Sequence, residues 1–140
     1  MAITDQQLID QAFDIRKKAY ARYSGFHVGA AIEADNGKIY AGCNVENAAY
    51  PLGACAEVGA ISAMIADGAT KIIRIAIVGG PKDADDFGIC SPCGGCRQRI
   101  TEFADKNTTI LLCGSAGTFT HYTINDLLPG SFALPSREDR

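Results

Sequence analysis

The segment HVGAAIEADNGKIYAGCNV, residues 27–45, predicts a β-hairpin. Two stretches that can form strands, HVGAAIEA and KIYAGCNV, flank the turn sequence DNG at residues 35–37. Asn and Gly tolerate the positive φ angles of tight hairpin turns, so this short connection is a strong hairpin signal. The sheet of this protein therefore contains at least one antiparallel pair of strands.

On both sides of the hairpin, helical and strand patterns alternate along the chain. Thr4 and Gln7 form a capping-box sequence, and the apolar residues that follow have helical spacing. Helices are predicted over residues 5–21, 55–68, 93–104 and near 125–128, and strands over 27–34, 38–45, 71–80, 108–114 and 118–124. Such alternation predicts an α/β domain, a three-layer sandwich with one mixed five-stranded sheet flanked by helices.

Composition restricts the classes of function. The 140 residues fit one domain, residues 1–140, whose charged end, about 134–140, is expected to be a flexible tail. A net charge of −3 and a pI of about 5.3 argue against a nucleic-acid partner. The sequence contains no run of 18 apolar residues, so no membrane span is predicted, and the first ten residues lack a signal-peptide pattern. We therefore expect a cytoplasmic protein, whose six cysteines are thiols or metal ligands.

The motif PCGGC, residues 92–96, has three possible interpretations. Cys93 and Cys96 at the start of a helix could form a redox pair. They could also belong to a structural zinc site, which needs four ligands and would recruit Cys90. The third interpretation is a catalytic metal site, in which three protein ligands leave the fourth position open for water.

Cys55 is the residue that favours a catalytic metal site. It begins the predicted helix 55–68, as Cys93 begins the helix after it. Functional sites of open α/β sheets gather where strands end and helices start, and helix N-termini favour thiolates. Two such helices side by side would bring Cys55, Cys93 and Cys96 around one point, with Glu57 beside the metal as a non-ligand.

Five motifs in the same order resemble those of the small zinc-dependent cytidine deaminases. They are SGFHVGAA (24–31), GCNVENA (42–48), CAE (55–57), PCGGCRQ (92–98) and LLPGSF (127–132). The resemblance covers nearly the whole chain, and five ordered motifs are more specific than any single one. It implies the cytidine deaminase fold and a homotetramer with one Zn²⁺ per subunit.

The resemblance also implies a reaction. Cys55, Cys93 and Cys96 would hold the zinc, and a zinc-bound hydroxide would attack C4 of cytidine or deoxycytidine. Glu57 would shuttle the proton to the base and then to the leaving amine. The products would be uridine or deoxyuridine and ammonia, as in pyrimidine salvage.

The same resemblance assigns five residues to substrate binding. Asn44 and Glu46 would hydrogen-bond the ribose. Phe26 and Phe132 would contact the pyrimidine ring, Phe132 from a neighbouring subunit. The backbone N–H of Ala56 would bind O2 of the base.

One position departs from the family pattern. Many members carry Arg directly after CAE, where this chain has Val58. Three thiolates on Zn²⁺ leave a net charge of −1, which a nearby cation would offset. We expect Arg97, next to Cys96, and the N-termini of the two helices to share that electrostatic support.

Other functions are compatible with parts of the pattern. A deaminase of a related cytosine nucleoside, such as blasticidin S, also carries CAE, although Glu46 favours cytidine. A structural four-cysteine zinc module would use Cys90 and give Glu57 no role. A thiol–disulfide pair at Cys93 and Cys96 would bind no metal. The structural zinc module and the thiol–disulfide pair both leave the CAE (55–57) and NVEN (44–47) segments unexplained.

Overall fold

The computed structural model describes residues 2–139 and contains one sheet. Its strands are β1 (Phe26–Ala34), β2 (Ile39–Cys43), β3 (Ile72–Pro81), β4 (Thr109–Cys113) and β5 (Phe119–Tyr122). Its helices are α1 (Asp5–Arg16), α2 (Ala56–Ala66), α3 (Gly94–Phe103) and the single turn α4 (Ile124–Leu127). Short 3-10 turns lie at Tyr50–Leu52 and Arg137–Asp139. Arg140, at the end of the predicted tail, lies outside the described residues.

The strands follow the order β2-β1-β3-β4-β5. Only β3 and β4 run parallel among these neighbours, and the other three pairs are antiparallel. The hairpin between β1 and β2 forms as the sequence predicts, with Gly37 at a φ of +80° in its turn. The mixed five-stranded sheet predicted from the sequence is confirmed.

Helices cover both faces of this sheet and give the predicted three-layer sandwich. On one face, Leu8 and Ala12 of α1 pack against alternate residues of the central strands. On the other face, α2 and α3 enclose the larger apolar cluster, to which Met64 and Ile100 belong. No helix within residues 2–139 has the length and apolar character needed to span a membrane.

The first helix is shorter than its sequence pattern predicts. It ends at Arg16 instead of continuing through residue 21. Beyond it, the N–H of Tyr20 donates to the Asn44 carbonyl at 2.9 Å, and the N–H of Glu46 donates to the Tyr20 carbonyl at 2.8 Å. These bonds tie the segment after the helix to the chain that follows β2, so its backbone cannot remain helical.

Gly42 allows α2 to lie directly against β2. A Cβ atom at this position would lie 2.4 Å from the backbone nitrogen of Ala60 and 2.5 Å from the carbonyl oxygen of Ala56. Any side chain larger than hydrogen would therefore push the helix away from the sheet. The close approach fixes the position of the helix start, where Cys55 and Glu57 lie.

Candidate metal centre

Three cysteines from two helix starts meet at one point. Cys55 is the N-cap residue of α2, Cys93 is the N-cap residue of α3, and Cys96 lies in the first turn of α3. Their Sγ atoms all lie within 4.8 Å of one another, and the Cys55 and Cys93 sulfurs are 4.0 Å apart. The structure therefore brings together the three sulfurs that the sequence nominates as ligands.

This group of sulfurs fits a zinc ion. Zn–S bonds of about 2.3 Å in a tetrahedral arrangement place two sulfurs about 3.8 Å apart. The Cys55–Cys93 separation of 4.0 Å is close to that value. Three ligands leave the fourth tetrahedral position free. Among the described residues, Cys90 is outside the group, although it lines the adjoining cavity.

The three thiols have different proton affinities. Burial raises the pKa of Cys55 and of Cys96, whereas a hydrogen bond from the backbone N–H of Cys96 lowers the pKa of Cys93. A metal binds thiolates and displaces the thiol protons. Cys93 is therefore the thiol that gives up its proton most easily.

Glu57 is a buried carboxylate beside the sulfurs. Only 3% of its surface is exposed. Burial raises the pKa of its carboxyl group, while a hydrogen bond from its own backbone N–H, a hydrogen bond with Cys96 and the charge of Arg99 oppose that rise. A general acid–base works best when its pKa is close to the operating pH, and burial moves a carboxyl group in that direction.

A cavity of about 370 Å³ opens onto these groups. Glu57, Cys55 and Cys93 lie on one side of it, and the predicted substrate ligands Phe26, Asn44 and Glu46 also line its wall. A larger cavity of about 640 Å³ lies near Arg22, His27 and Lys82, and its lining within the described residues includes no cysteine. The smaller cavity is thus the one that adjoins the chemically reactive groups.

Asn44 and Glu46 are already hydrogen-bonded in the single chain. Asn44 accepts from the N–H of Val28 and donates to the carbonyl of Phe26, both at 2.9 Å. Glu46 accepts bonds from the backbone N–H groups of Tyr23 and Ser24, and its other oxygen accepts from the Ser24 hydroxyl. Each side chain keeps unused hydrogen-bonding capacity. These contacts hold both side chains in place at the cavity wall.

The two remaining predicted substrate ligands occupy different environments. Ala56 is fully buried in the first turn of α2, where N–H groups have no acceptor within the helix. Phe132 is 71% exposed and is not part of the cavity wall. Its carbonyl accepts a bond from the Gln98 side chain at 3.0 Å. Phe132 therefore does not reach the cavity of its own chain.

The arginine that contacts a sulfur differs from the one nominated by the sequence. Arg97 donates to the Pro92 carbonyl, the Leu127 carbonyl and the Ser91 hydroxyl. Arg99 Nη1 instead lies 3.5 Å from Cys96 Sγ. Helix spacing was the missed signal, because residues i and i+3 share a face whereas neighbours in sequence do not.

Comparisons with known proteins agree with this geometry. Residues 2–112 match the family model described as the cytidine and deoxycytidylate deaminase zinc-binding region. A cytidine deaminase from Sporosarcina psychrophila is 41% identical over 134 residues, which cover 96% of this chain and 93% of that protein. The crystal structure of a cytidine deaminase from Burkholderia pseudomallei has a TM-score of 0.84 and 39% identity, covering 93% of this chain and all of that one.

The blasticidin-S alternative has a weaker match. A blasticidin-S deaminase from Bacillus cereus is 30% identical over 106 residues, which cover 74% of each chain. The similarity to cytidine deaminases is both longer and closer. With its family-model match, its fold and its three-sulfur zinc site, the chain belongs to the cytidine and deoxycytidylate deaminase family.

Proposed function

We propose that this protein catalyses the hydrolytic deamination of cytidine and deoxycytidine to uridine and deoxyuridine, with release of ammonia. The observation that carries the proposal is the group of three cysteine sulfurs beside a buried carboxylate. Cys55, Cys93 and Glu57 of this group line one cavity. A purely structural zinc site requires a fourth protein ligand and gives the carboxylate no task. The cavity volume of about 370 Å³ lies within the range of small-molecule sites.

In this proposal, Cys55, Cys93 and Cys96 hold the zinc. The bound zinc supplies a Lewis acid that lowers the pKa of water. Glu57 accepts a proton from the attacking water and delivers it to N3 of the base as the C4–O bond forms. It then carries the second proton, from the hydroxyl now bonded to C4, to the amine as the C4–N bond breaks and the C4 carbonyl forms. The burial of Glu57 keeps this carboxylate away from competing bulk water.

The cavity wall supplies the groups that recognise a nucleoside. Asn44 and Glu46 offer an amide and a carboxylate for the ribose hydroxyls, and Phe26 offers an aromatic face for the base. Ala56 itself is buried between Cys55 and Glu57, which line the cavity, and its backbone N–H at the helix start would suit the O2 atom of cytosine. The hydrogen bonds that already fix Asn44 and Glu46 reduce the ordering cost of binding.

We also propose that the protein works as a homotetramer with one zinc per subunit. Tyr50, Leu52, Phe132 and Leu134 are each more than 70% exposed in the single chain. Large apolar side chains this exposed are favourable to bury against another subunit. Association would bury them and would allow Phe132 to enter the cavity of a neighbouring subunit.

Two further assignments belong to this proposal. We assign the activity to one domain, residues 1–140. We assign it also to cytoplasmic pyrimidine salvage, because zinc-binding thiols persist where the surroundings are reducing. The same acidic chain is expected to use free nucleosides and not nucleic acid.

The experiment that tests the proposal follows the ultraviolet absorbance of cytidine with zinc-loaded protein. The native protein should remove the cytidine band, and Glu57→Gln should be slower by at least about 10²-fold, because Gln cannot carry protons. Zinc content and circular dichroism of both proteins provide the control for folding. A flat trace from folded, zinc-loaded native protein would exclude cytidine, and turnover of blasticidin S alone would establish the alternative substrate.

A further inference from the structure

Arg99, in α3, contacts one sulfur of the metal centre. Its Nη1 atom lies 3.5 Å from the Sγ of Cys96, the most buried of the three cysteines that form the centre. Among residues 2–139, it is the only basic side chain that hydrogen-bonds one of these sulfurs. The spacing of three residues along α3 places both side chains on one face.

The surroundings of Arg99 leave room for this contact. A Cβ atom on Gly95 would lie 3.2 Å from Arg99 Nη1, so the glycine leaves the guanidinium unobstructed. Val58 of α2 and Arg99 line the same groove between the two helices, whose volume is about 340 Å³. Val58 is uncharged, so Arg99 is the cation in this groove that contacts the Cys96 sulfur.

The charges of the centre require such a cation. Three thiolates and one Zn²⁺ carry a net charge of −1, and the Glu57 carboxylate adds another negative charge nearby. A guanidinium at hydrogen-bonding distance offsets this charge and orients the sulfur. We propose that Arg99 is the positioning residue of the zinc centre, holding the Cys96 thiolate by a charge-assisted hydrogen bond. This inference rests on the zinc site of the proposed function.

Arg97 has a different role in the same helix. Its Nε donates to the Pro92 carbonyl at 2.9 Å, its Nη1 to the Leu127 carbonyl at 2.6 Å, and its Nη2 to the Ser91 hydroxyl at 2.8 Å. These bonds tie the loop before α3 to the end of α4. Since its donors are directed at oxygen atoms, Arg97 stabilises the loop that carries Cys93.

Metal binding tests the role of Arg99 without any need for turnover. Zinc affinity of Arg99→Gln, measured by competition with a chromophoric chelator, should fall by about 10–100-fold, as for other partners of metal ligands. In the cobalt-loaded protein, the sulfur-to-metal charge-transfer band should move to longer wavelength, since removing the cation makes sulfur a better electron donor. Arg99→Lys, which keeps the charge, should fall between Gln and the native protein in both measurements.

Two variants separate this role from a loss of stability. Glu102→Gln, in the same groove, should leave both the zinc affinity and the cobalt band unchanged. Adding Val58→Arg to Arg99→Gln should move the band back, because it returns a cation to the groove. Native affinity and an unmoved band in Arg99→Gln would overturn the inference, as would an equal effect from Glu102→Gln. A native protein that binds zinc normally but does not deaminate cytidine would contradict the proposed function. The metal-binding test of Arg99 would still apply, because it does not depend on turnover.

Discussion

Replacing Gly42 with alanine should displace the helix that carries two groups of the site. The added Cβ would lie 2.4 Å from Ala60 N and 2.5 Å from the Ala56 carbonyl oxygen, both backbone atoms of α2. Unstrained contacts of carbon lie near 3.5 Å, so α2 must retreat by about 1 Å. Overpacking of this kind costs about 1–3 kcal/mol of unfolding free energy. Because Glu57 moves with the helix, turnover should fall by about 10²-fold.

Gly59 provides the matched control for Gly42. It lies in α2 on the opposite side of the same contact, and its Cβ would meet Gly42 Cα at an ordinary 3.5 Å. Gly59→Ala should therefore stabilise the protein by about 0.5–1 kcal/mol, since alanine favours helix more than glycine does.

Urea unfolding measures these two stability changes. It is followed by circular dichroism, because the chain contains no tryptophan. Cytidine turnover is measured beside it, at equal zinc loading. Native stability and native turnover in Gly42→Ala would refute the reasoning that this close approach sets the position of the site.

Three other perturbations give distinct results. Burial would raise the pKa of Asp5, but bonds from Arg74 and His121 outweigh it and hold the pKa low. The stabilisation is therefore present above the unfolded pKa of about 4 and is lost as pH falls through the folded pKa. Urea unfolding of Asp5→Asn should show a loss of up to about 1 kcal/mol at neutral pH that disappears in acid. Cys96→Ser should lose more zinc affinity in chelator competition than the about 10–100-fold typical of outer partners. Phe132→Ala should raise KM about tenfold in steady-state assays while the circular dichroism of each chain stays native, because the ring is exposed within its own chain.

Local patterns carried most of the fold prediction. Both hydrogen bonds of the Thr4–Gln7 capping box form, at 3.1 and 2.9 Å, and α1 begins where the capping box predicts. The turn at Gly37 joins β1 to β2. Such signals depend on residues a few positions apart, so the sequence contains all that is needed to identify them.

Contacts between segments that are distant in the chain were harder to predict from the sequence. The end of α1 is determined by the bonds between Tyr20 and the chain after β2, which no helical propensity encodes. Arg97 was nominated because it follows Cys96 directly, yet the sulfur contact comes from Arg99 one helical turn away. The role of Phe132 depends on other copies of the chain and stays a prediction.

The most direct test of the central claim follows the oxygen atom that enters the base. Cytidine is incubated with zinc-loaded protein in water enriched in oxygen-18, and the product is analysed by mass spectrometry alongside the ammonia released. Hydrolytic deamination predicts uridine carrying the heavy isotope at C4 and one ammonia per uridine, with neither formed at an appreciable rate by Glu57→Gln. Unlabelled uridine, or no uridine from folded zinc-loaded protein, would contradict the account.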